Sequence, residues 1–401
     1  MSRTVNERII FGMLEKLQHG TLTLTTPSGE VREFGTRTSQ APYGLAADLR
    51  ILDAQVYKNI LRGGDIAFGE MYMQGLVATS DLSALLKLFV KNRSAIEDAL
   101  HGRWWGVLLD RVLHLFRRNS KAQARKNIEA HYDLGNDFYK LWLDPSMTYS
   151  SALFAGAAAD SESSLPAAQE AKYQRVLTQL GDAKNILEIG CGWGGFAEVA
   201  SSAGRQVTGL TLSSEQLVYA KERLATLGRT EAADLKLQDY RDEGTGSPQQ
   251  YDGIASIEMF EAVGESYWPS YFECVARNLK AGGRACIQSI TIKDELFDRY
   301  RSGTDFIQRY IFPGGMLPSP AAFAQAASSK GLRIVDHFSF GQDYARTLAM
   351  WRSNFLAKLP EVRALDYPEK FIRMWDFYLA YCEAGFESGD TNVMHFTLEK
   401  A

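Results

Sequence analysis

The chain is poor in the side chains that bind metals or form disulfides. Its 401 residues include six histidines and four cysteines. Cys191, Cys274, Cys286 and Cys382 never fall in a C-x-x-C pair, which excludes a zinc ribbon and a thioredoxin-type redox site. Reduced thiols and no metal are expected. No apolar run reaches the ~18 residues that a membrane span requires. The first residues, MSRTVNERII, lack the apolar core of a secretory signal. These absences predict a cytoplasmic protein that meets the inner membrane surface only peripherally. Positive charge is not in excess either. The net charge is −4, which argues against a nucleic-acid partner. Internal repeats and low-complexity tracts are missing.

What is present is the composition of a globular enzyme, 45% hydrophobic and 23% charged, with length enough for two domains. Charge is unevenly placed. Residues 1–126 carry 18 Lys/Arg against 12 Asp/Glu, whereas the remainder carries 26 against 36. A basic first part on an acidic body suggests an anionic partner touched by the first part alone. TLTLTTPSGEVREF (21–34) alternates and turns at Pro27-Ser28-Gly29, a hairpin signal. DLSALLKLFVKNRSAIEDAL (81–100) has helical periodicity, and AGAAADSESSLPAAQ (155–169) reads as an exposed loop before a helix.

From residue 184 the pattern alternates. NILEIG, QVTGLTL, ADLKLQ, YDGIASI and ACIQSITI are short buried-strand candidates. SSEQLVYAKERLATLG and YWPSYFECVARNLKAGG are amphipathic helices, the second predicted to stop at Gly282-Gly283. Such alternation gives a parallel sheet covered on both faces.

The first of these strands runs into LEIGCGWGGFA, with glycine at 190, 192, 194 and 195. A glycine-rich turn there brings backbone close to a ligand at the carboxyl edge of the sheet. No Lys-Ser/Thr follows, so the loop is not a P-loop. Gly190, Gly192 and Gly195 satisfy G-x-G-x-x-G, a weak dinucleotide signal. The acid that would bind a ribose about 20 residues on is replaced by Thr211. The acid instead precedes the loop, at Glu188. That placement suits a ligand with a positive pole and no phosphate, such as S-adenosylmethionine. A tight turn without any ligand is the plain alternative.

LEIGCGWGGFA, GLTLSSEQ (209–216), QDYRD (238–242), MFEAVGE (259–265), RYIFPGGMLPS (309–319) and AHYDLGNDFYKLWLDPSMTYSS (130–151) together resemble the cyclopropane fatty acid synthase family. The resemblance runs from about residue 127 to the C-terminus. It implies a seven-stranded class I methyltransferase (Rossmann-like α/β) sheet, its last strand TNVMHFTL (391–398) antiparallel. A smaller mixed α+β N-terminal domain of lipid-binding type would occupy 1–100, a linker helix 101–126 and the methyltransferase domain 127–401. The implied cofactor is S-adenosylmethionine, touched by Ser150, Gly190, Gly192, Thr211, Leu212, Gln216, Tyr240 and Ile257. Tyr149, Glu188, Gly194 and Asp239 join that set. Asp239 and Tyr240 end the third strand, where adenine would rest, although Asp239 could simply cap a turn.

The implied reaction methylates the double bond of an unsaturated phospholipid acyl chain and closes a cyclopropane. An isolated alkene must attack the sulfonium methyl directly, which leaves a carbocation. The site then needs a dry aromatic slot, roofed by 292–320 and 343–390, and a base. In this family the base is a bound bicarbonate. The matching ligand positions here are Ser151, Glu261, Gln288, Ile290 and Tyr344. Ser151 stands where the family has Cys, Gln288 where it has His, and Ala262 where a His follows the Glu. Gln288 can donate to an anion but cannot carry a proton. A methylene-branched or methyl-branched product, or a cofactor-binding lipid module without turnover, is therefore an alternative. So is a methyltransferase acting on another substrate. Glu258 reads as a cap-like acid, expected to matter less than Glu261.

RWWGVLLDRVLHLFRRNSKAQARK (103–126) has seven basic residues, one acid and a largely apolar remainder. It could lie on an anionic membrane surface or pack between domains. MWDFYLAYCEAGF (374–386) is either a buried helix face or a wall of the substrate slot. His19, His101, His337 and His395 are assigned no role. A homodimer is compatible with the chain, and sequence does not fix the oligomeric state.

Overall fold

The computed structural model describes residues 4–36, 45–98, 134–154, 164–246 and 250–400. The basic stretch 103–126, the expected boundaries around it and most of the loop at 155–169 lie outside the described residues.

The first part contains α1 (Val5–Leu14), β1 (Gly20–Thr25), β2 (Val31–Thr36), β3 (Ala46–Ile51), α2 (Gln55–Met73), β4 (Val77–Ala78), α3 (Leu82–Lys91) and α4 (Arg93–Asp98). Its sheet has the order β2-β1-β3-β4. The expected hairpin is the antiparallel β1–β2 pair, with Leu22 opposite Phe34. Alternation along β1 buries Leu22 and Leu24 completely. The helix expected over 81–100 forms as two pieces broken at Asn92. That side chain is fully buried, accepts from the Gln18 and His19 N–H groups and donates to the Leu88 carbonyl. An amide serving backbone from three residues favours the break over a continuous helix.

The second part follows as α5 (Asn136–Lys140), α6 (Leu165–Leu180), β5 (Asn185–Ile189), α7 (Gly195–Ser202), β6 (Gln206–Thr211), α8 (Ser214–Thr226), β7 (Ala233–Leu237), β8 (Tyr251–Ile257), α9 (Trp268–Asn278), β9 (Leu279–Ile292), α10 (Asp294–Arg301), α11 (Phe306–Tyr310), α12 (Pro320–Ser328), β10 (Leu332–Ser339), α13 (Gly341–Ala357), α14 (Leu359–Ala364), α15 (Glu369–Glu387) and β11 (Thr391–Lys400). The seven strands are ordered β10-β11-β9-β8-β5-β6-β7. β11 is antiparallel to both neighbours, and the β5–β9 pairs are parallel. This is the expected class I methyltransferase sheet.

One expectation is corrected. The helix predicted to stop at Gly282-Gly283 ends at Asn278, and those glycines sit inside β9. The Asn278 amide donates to the Cys274 and Glu243 carbonyls, which closes the helix early. Leu279 already pairs with Tyr251, and the register then shifts before Gly253 meets Arg284. Gly282, at φ +70°, absorbs that irregularity.

α2 and α3 pack against α15, and one apolar core runs from Phe11, Leu22 and Tyr57 to Trp142, Trp351 and Trp375. Among the described residues, no helix is long and apolar enough to cross a membrane.

Candidate active site

Strand order reverses at β5: the chain goes on to β6 and β7 on one side and returns to β8 and β9 on the other. Loops at the carboxyl ends of β5 and β8 therefore diverge and leave a crevice. A cavity of about 330 Å³ fills it.

β5 delivers Glu188 and the glycine loop to this cavity. Glu188 is 3% exposed, and its Oε2 has no hydrogen-bond partner. Burial pushes its carboxyl up to about 8, against the pull of Arg223. Gly190 has φ +87°, and a Cβ there would lie 2.8 Å from the Met259 side chain. A Cβ on Gly192 would meet nothing within 4 Å, so the backbone is bare where it lines the cavity. An orphaned acid beside bare backbone fits a cationic ligand such as S-adenosylmethionine.

Tyr149, Ser150, Glu188, Gly190 and Gly192 line the cavity together. Thr211, Leu212, Gln216, Tyr240 and Ile257 line it from the adjacent strand ends. The Thr211 hydroxyl donates to the Gln216 side chain at 3.1 Å. Two of the expected cofactor residues are absent from the lining. Gly194 is the left-handed residue that starts α7, packed against Ala220. Asp239 accepts from the Arg241 backbone and guanidinium, so it caps a turn.

The second half of the cavity is mainly apolar, with Tyr300, Asp305 and Gln308 as polar members of its lining. Ile307, Phe312, Met316 and Leu317 line it from 292–320, and Tyr344, Leu348, Tyr378 and Phe386 from 343–390. The aromatic run at 374–386 divides between the cavity lining and the core. Tyr378, Tyr381, Cys382 and Phe386 face the cavity, while Trp375, Phe377 and Leu379 are core.

Between the two halves stand two carboxyls. Glu258 follows β8 directly, with φ +50°, the left-handed region that disfavours a side chain. It caps no helix. Its Oε1 accepts from the Ser151 N–H at 2.8 Å and from the Gln288 amide at 2.6 Å. Its Oε2 accepts from the Tyr344 hydroxyl at 2.6 Å. Ser151, Gln288 and Tyr344 are three of the five positions expected around a bicarbonate, and the structure gathers them on Glu258. Glu261 is held by the Ile290 N–H through one oxygen, and its Oε2 is buried without a partner. Burial, reinforced by the charge of Glu258, raises the Glu261 carboxyl to about 8. Burial also raises Glu258, but Tyr344, Lys172, Ser151 and Gln288 all oppose it. The surface both residues keep opens on the cavity. The two carboxyls thus sit in different surroundings: three donors on Glu258 favour its ionised form against burial, whereas Glu261, with one oxygen orphaned, keeps its proton near pH 7.

Two supporting residues escaped the sequence reading. His395 is fully buried on β11 opposite Gln288 on β9, and its Nε2 lies 2.8 Å from the Gln288 Oε1. That oxygen only accepts, so His395 carries its proton on Nε2 and turns the Gln288 nitrogen towards Glu258. Burial lowers His395 to about 3, which keeps it neutral. Lys172 on α6 is also fully buried and donates to the Ser150 hydroxyl at 2.5 Å and the Gln169 side chain at 2.8 Å. It pins the segment that presents Ser151. Burial lowers its pKa, and the charges of Glu258 and Asp144 pull the other way.

Residues 119–396 match the family model for mycolic acid cyclopropane synthetase. The chain is 38% identical over 348 residues to the tuberculostearic acid methyltransferase of Mycobacterium tuberculosis, covering 85% of this chain and 80% of that protein. It is 36% identical over 350 residues to the cyclopropane-fatty-acyl-phospholipid synthase of Escherichia coli K12, covering 86% of each. A mycolic acid cyclopropane synthase solved with SAH and CTAB superimposes with a TM-score of 0.63 at 31% identity, over 69% of this chain and 98% of that one. The chain belongs to the mycolic acid cyclopropane synthetase family and is an S-adenosylmethionine-dependent methyltransferase.

Proposed function

We propose that this enzyme alkylates the double bond of an unsaturated acyl chain in a phospholipid and closes a cyclopropane ring. The observation that carries the reading is the continuity of the cavity. One end is a glycine-rich cradle with an orphaned acid, and the other is an apolar slot walled by Phe312, Tyr344, Tyr378 and Phe386. When bound, S-adenosylmethionine supplies an electrophilic methyl on a sulfonium. Glu188 would pair with its positive pole, Gly190 and Gly192 would admit it against the backbone, and Thr211 and Gln216 would meet its ribose.

The apolar wall suits an isolated alkene because it excludes water that would trap a carbocation. Its ring faces favour positive charge. The names of the relatives, a cyclopropane-fatty-acyl-phospholipid synthase and a probable fatty acid methyltransferase, support the lipid substrate class. The basic segment 103–126 would bring the site to an anionic membrane surface, in a contact that weakens with salt. A second reading, an unsaturated branched product, is favoured by Gln288, which cannot move a proton as a histidine can.

Labelled S-adenosylmethionine and unsaturated phosphatidylglycerol vesicles test both. Both products gain one CH2, but ozonolysis cleaves only the branched olefin. Absence of label from every lipid would refute the acyl-chain reading.

A further inference from the structure

Glu258 occupies the place of an anion. The bicarbonate implied by the family resemblance would need donors from Ser151, Gln288 and Tyr344. All three are bonded to the Glu258 carboxylate. A second anion beside it would find those donors taken and a like charge in contact. The residues present therefore do not fit a bicarbonate. The backbone makes the same point. A glutamate at φ +50° lies in a region that side chains disfavour, and such strain persists only where the surroundings over-determine it. Here three donors from three distant segments hold the carboxylate at the cavity wall.

We propose that the Glu258 carboxylate replaces bicarbonate as the base that takes the proton from the alkylated acyl chain. This rests on the acyl-chain reading above. Once the alkene π pair has bonded the donated methyl carbon, the sulfur keeps the pair of the broken carbon–sulfur bond. The positive charge then lies on the neighbouring chain carbon. A Glu258 oxygen removes a proton from the new methyl group. The freed C–H pair forms the third bond of the ring, and the cation and carboxylate become a neutral lipid and a carboxylic acid. The acid returns its proton to water after product leaves. If the proton comes from the chain instead, the freed pair becomes a carbon–carbon double bond. Tyr344 and Gln288 position the carboxylate, and His395 positions Gln288.

The full-length protein is assayed with unsaturated phospholipid vesicles in carbonate-free buffer and with added bicarbonate. Wild-type turnover should be the same in both. Glu258→Gly relieves the backbone and empties a carboxylate-sized space. It should lose turnover by on the order of a hundredfold and recover part of it with bicarbonate or formate. Glu258→Gln fills the space and should not be rescued. A readout independent of turnover accompanies these: bicarbonate should raise the melting temperature of Glu258→Gly and leave wild type unchanged. Wild-type turnover that needs bicarbonate, or a Glu258→Gly variant fully active without any added anion, overturns the proposal. Should wild type make no modified lipid, the acyl-chain reading fails. The wild-type melting curve still decides the anion question, because a bicarbonate-dependent shift there overturns the proposal.

Discussion

Replacing Glu188 with Gln should change how stability depends on pH. The Glu188 carboxyl is buried, one oxygen has no partner, and its pKa is raised from an ordinary 4.5 to about 8. Between those values the folded chain keeps a proton that the unfolded chain has released. Stability due to this group is therefore greatest at low pH and is lost as pH rises through the window. The loss is ~1.4 kcal/mol per pH unit, or on the order of 5 kcal/mol across the full window. Glu188→Gln has no such proton. Glu261, His395 and Lys172 titrate in both proteins and cancel in the difference. Urea unfolding of the ligand-free proteins from pH 5 to 8 should show the variant gaining steadily on wild type, by several kcal/mol in total. Any constant offset from the new amide does not affect this slope. Calorimetry in buffers of different ionisation enthalpy should further show that S-adenosylmethionine displaces a proton from wild type near pH 7 and not from the variant. Parallel stability curves would mean that Glu188 is already ionised in the folded chain, and the burial argument would be wrong.

Tyr344→Phe removes a donor that favours ionised Glu258. Turnover should fall on the order of tenfold, and the acidic limb of its pH profile should move to higher pH. Gly190→Ala places a Cβ against Met259 at a positive φ, whereas Gly204→Ala, also at positive φ, meets nothing. The second should cost about 1 kcal/mol in thermal unfolding; the first should cost more and also weaken S-adenosylhomocysteine binding. Lys87→Met leaves the buried Glu383 without its cation and should destabilise the protein by on the order of 3 kcal/mol in urea. The double variant Lys87→Met/Glu383→Leu should recover much of that loss.

The central strands were legible because β5, β6 and β8 are apolar runs bounded by turn residues. The glycine loop was legible because it breaks strand periodicity at a sheet edge. α2 carries Gly63-Gly64 at its middle, residues that weaken a helical signal, and the helix passes through with a kink at Gly64. β10, LRIVDHFS, lies at a sheet edge and is only partly buried, so it lacks the strong apolar signal of an inner strand. Lys172 could have been found, since it sits on the same helical stripe as Leu165, Ala168, Val176 and Leu180. A lysine on a buried face needs a partner. Glu258 could not be read as a hub from local pattern. Ser151 lies 107 residues before it and Tyr344 lies 86 after, and only the fold joins them. His395 likewise meets Gln288 through strand register, which spacing alone does not supply.

The far face of α15 gives the small N-terminal sheet a mechanical part in the chemistry. Asp376 is bonded by Tyr72 and Arg352, and Glu383 by Ser83 and Lys87, so helices of the first hundred residues grip the back of α15, whose front walls the cavity. Shortening the chain to its methyltransferase sheet would take the Lys87 cation from Glu383 and the Tyr72 hydroxyl from Asp376, which keeps Arg352, and would loosen the wall of the cavity. On the acyl-chain reading proposed above, substrate preference would be open to tuning from Tyr72, Ser83 and Lys87, positions that do not line the cavity.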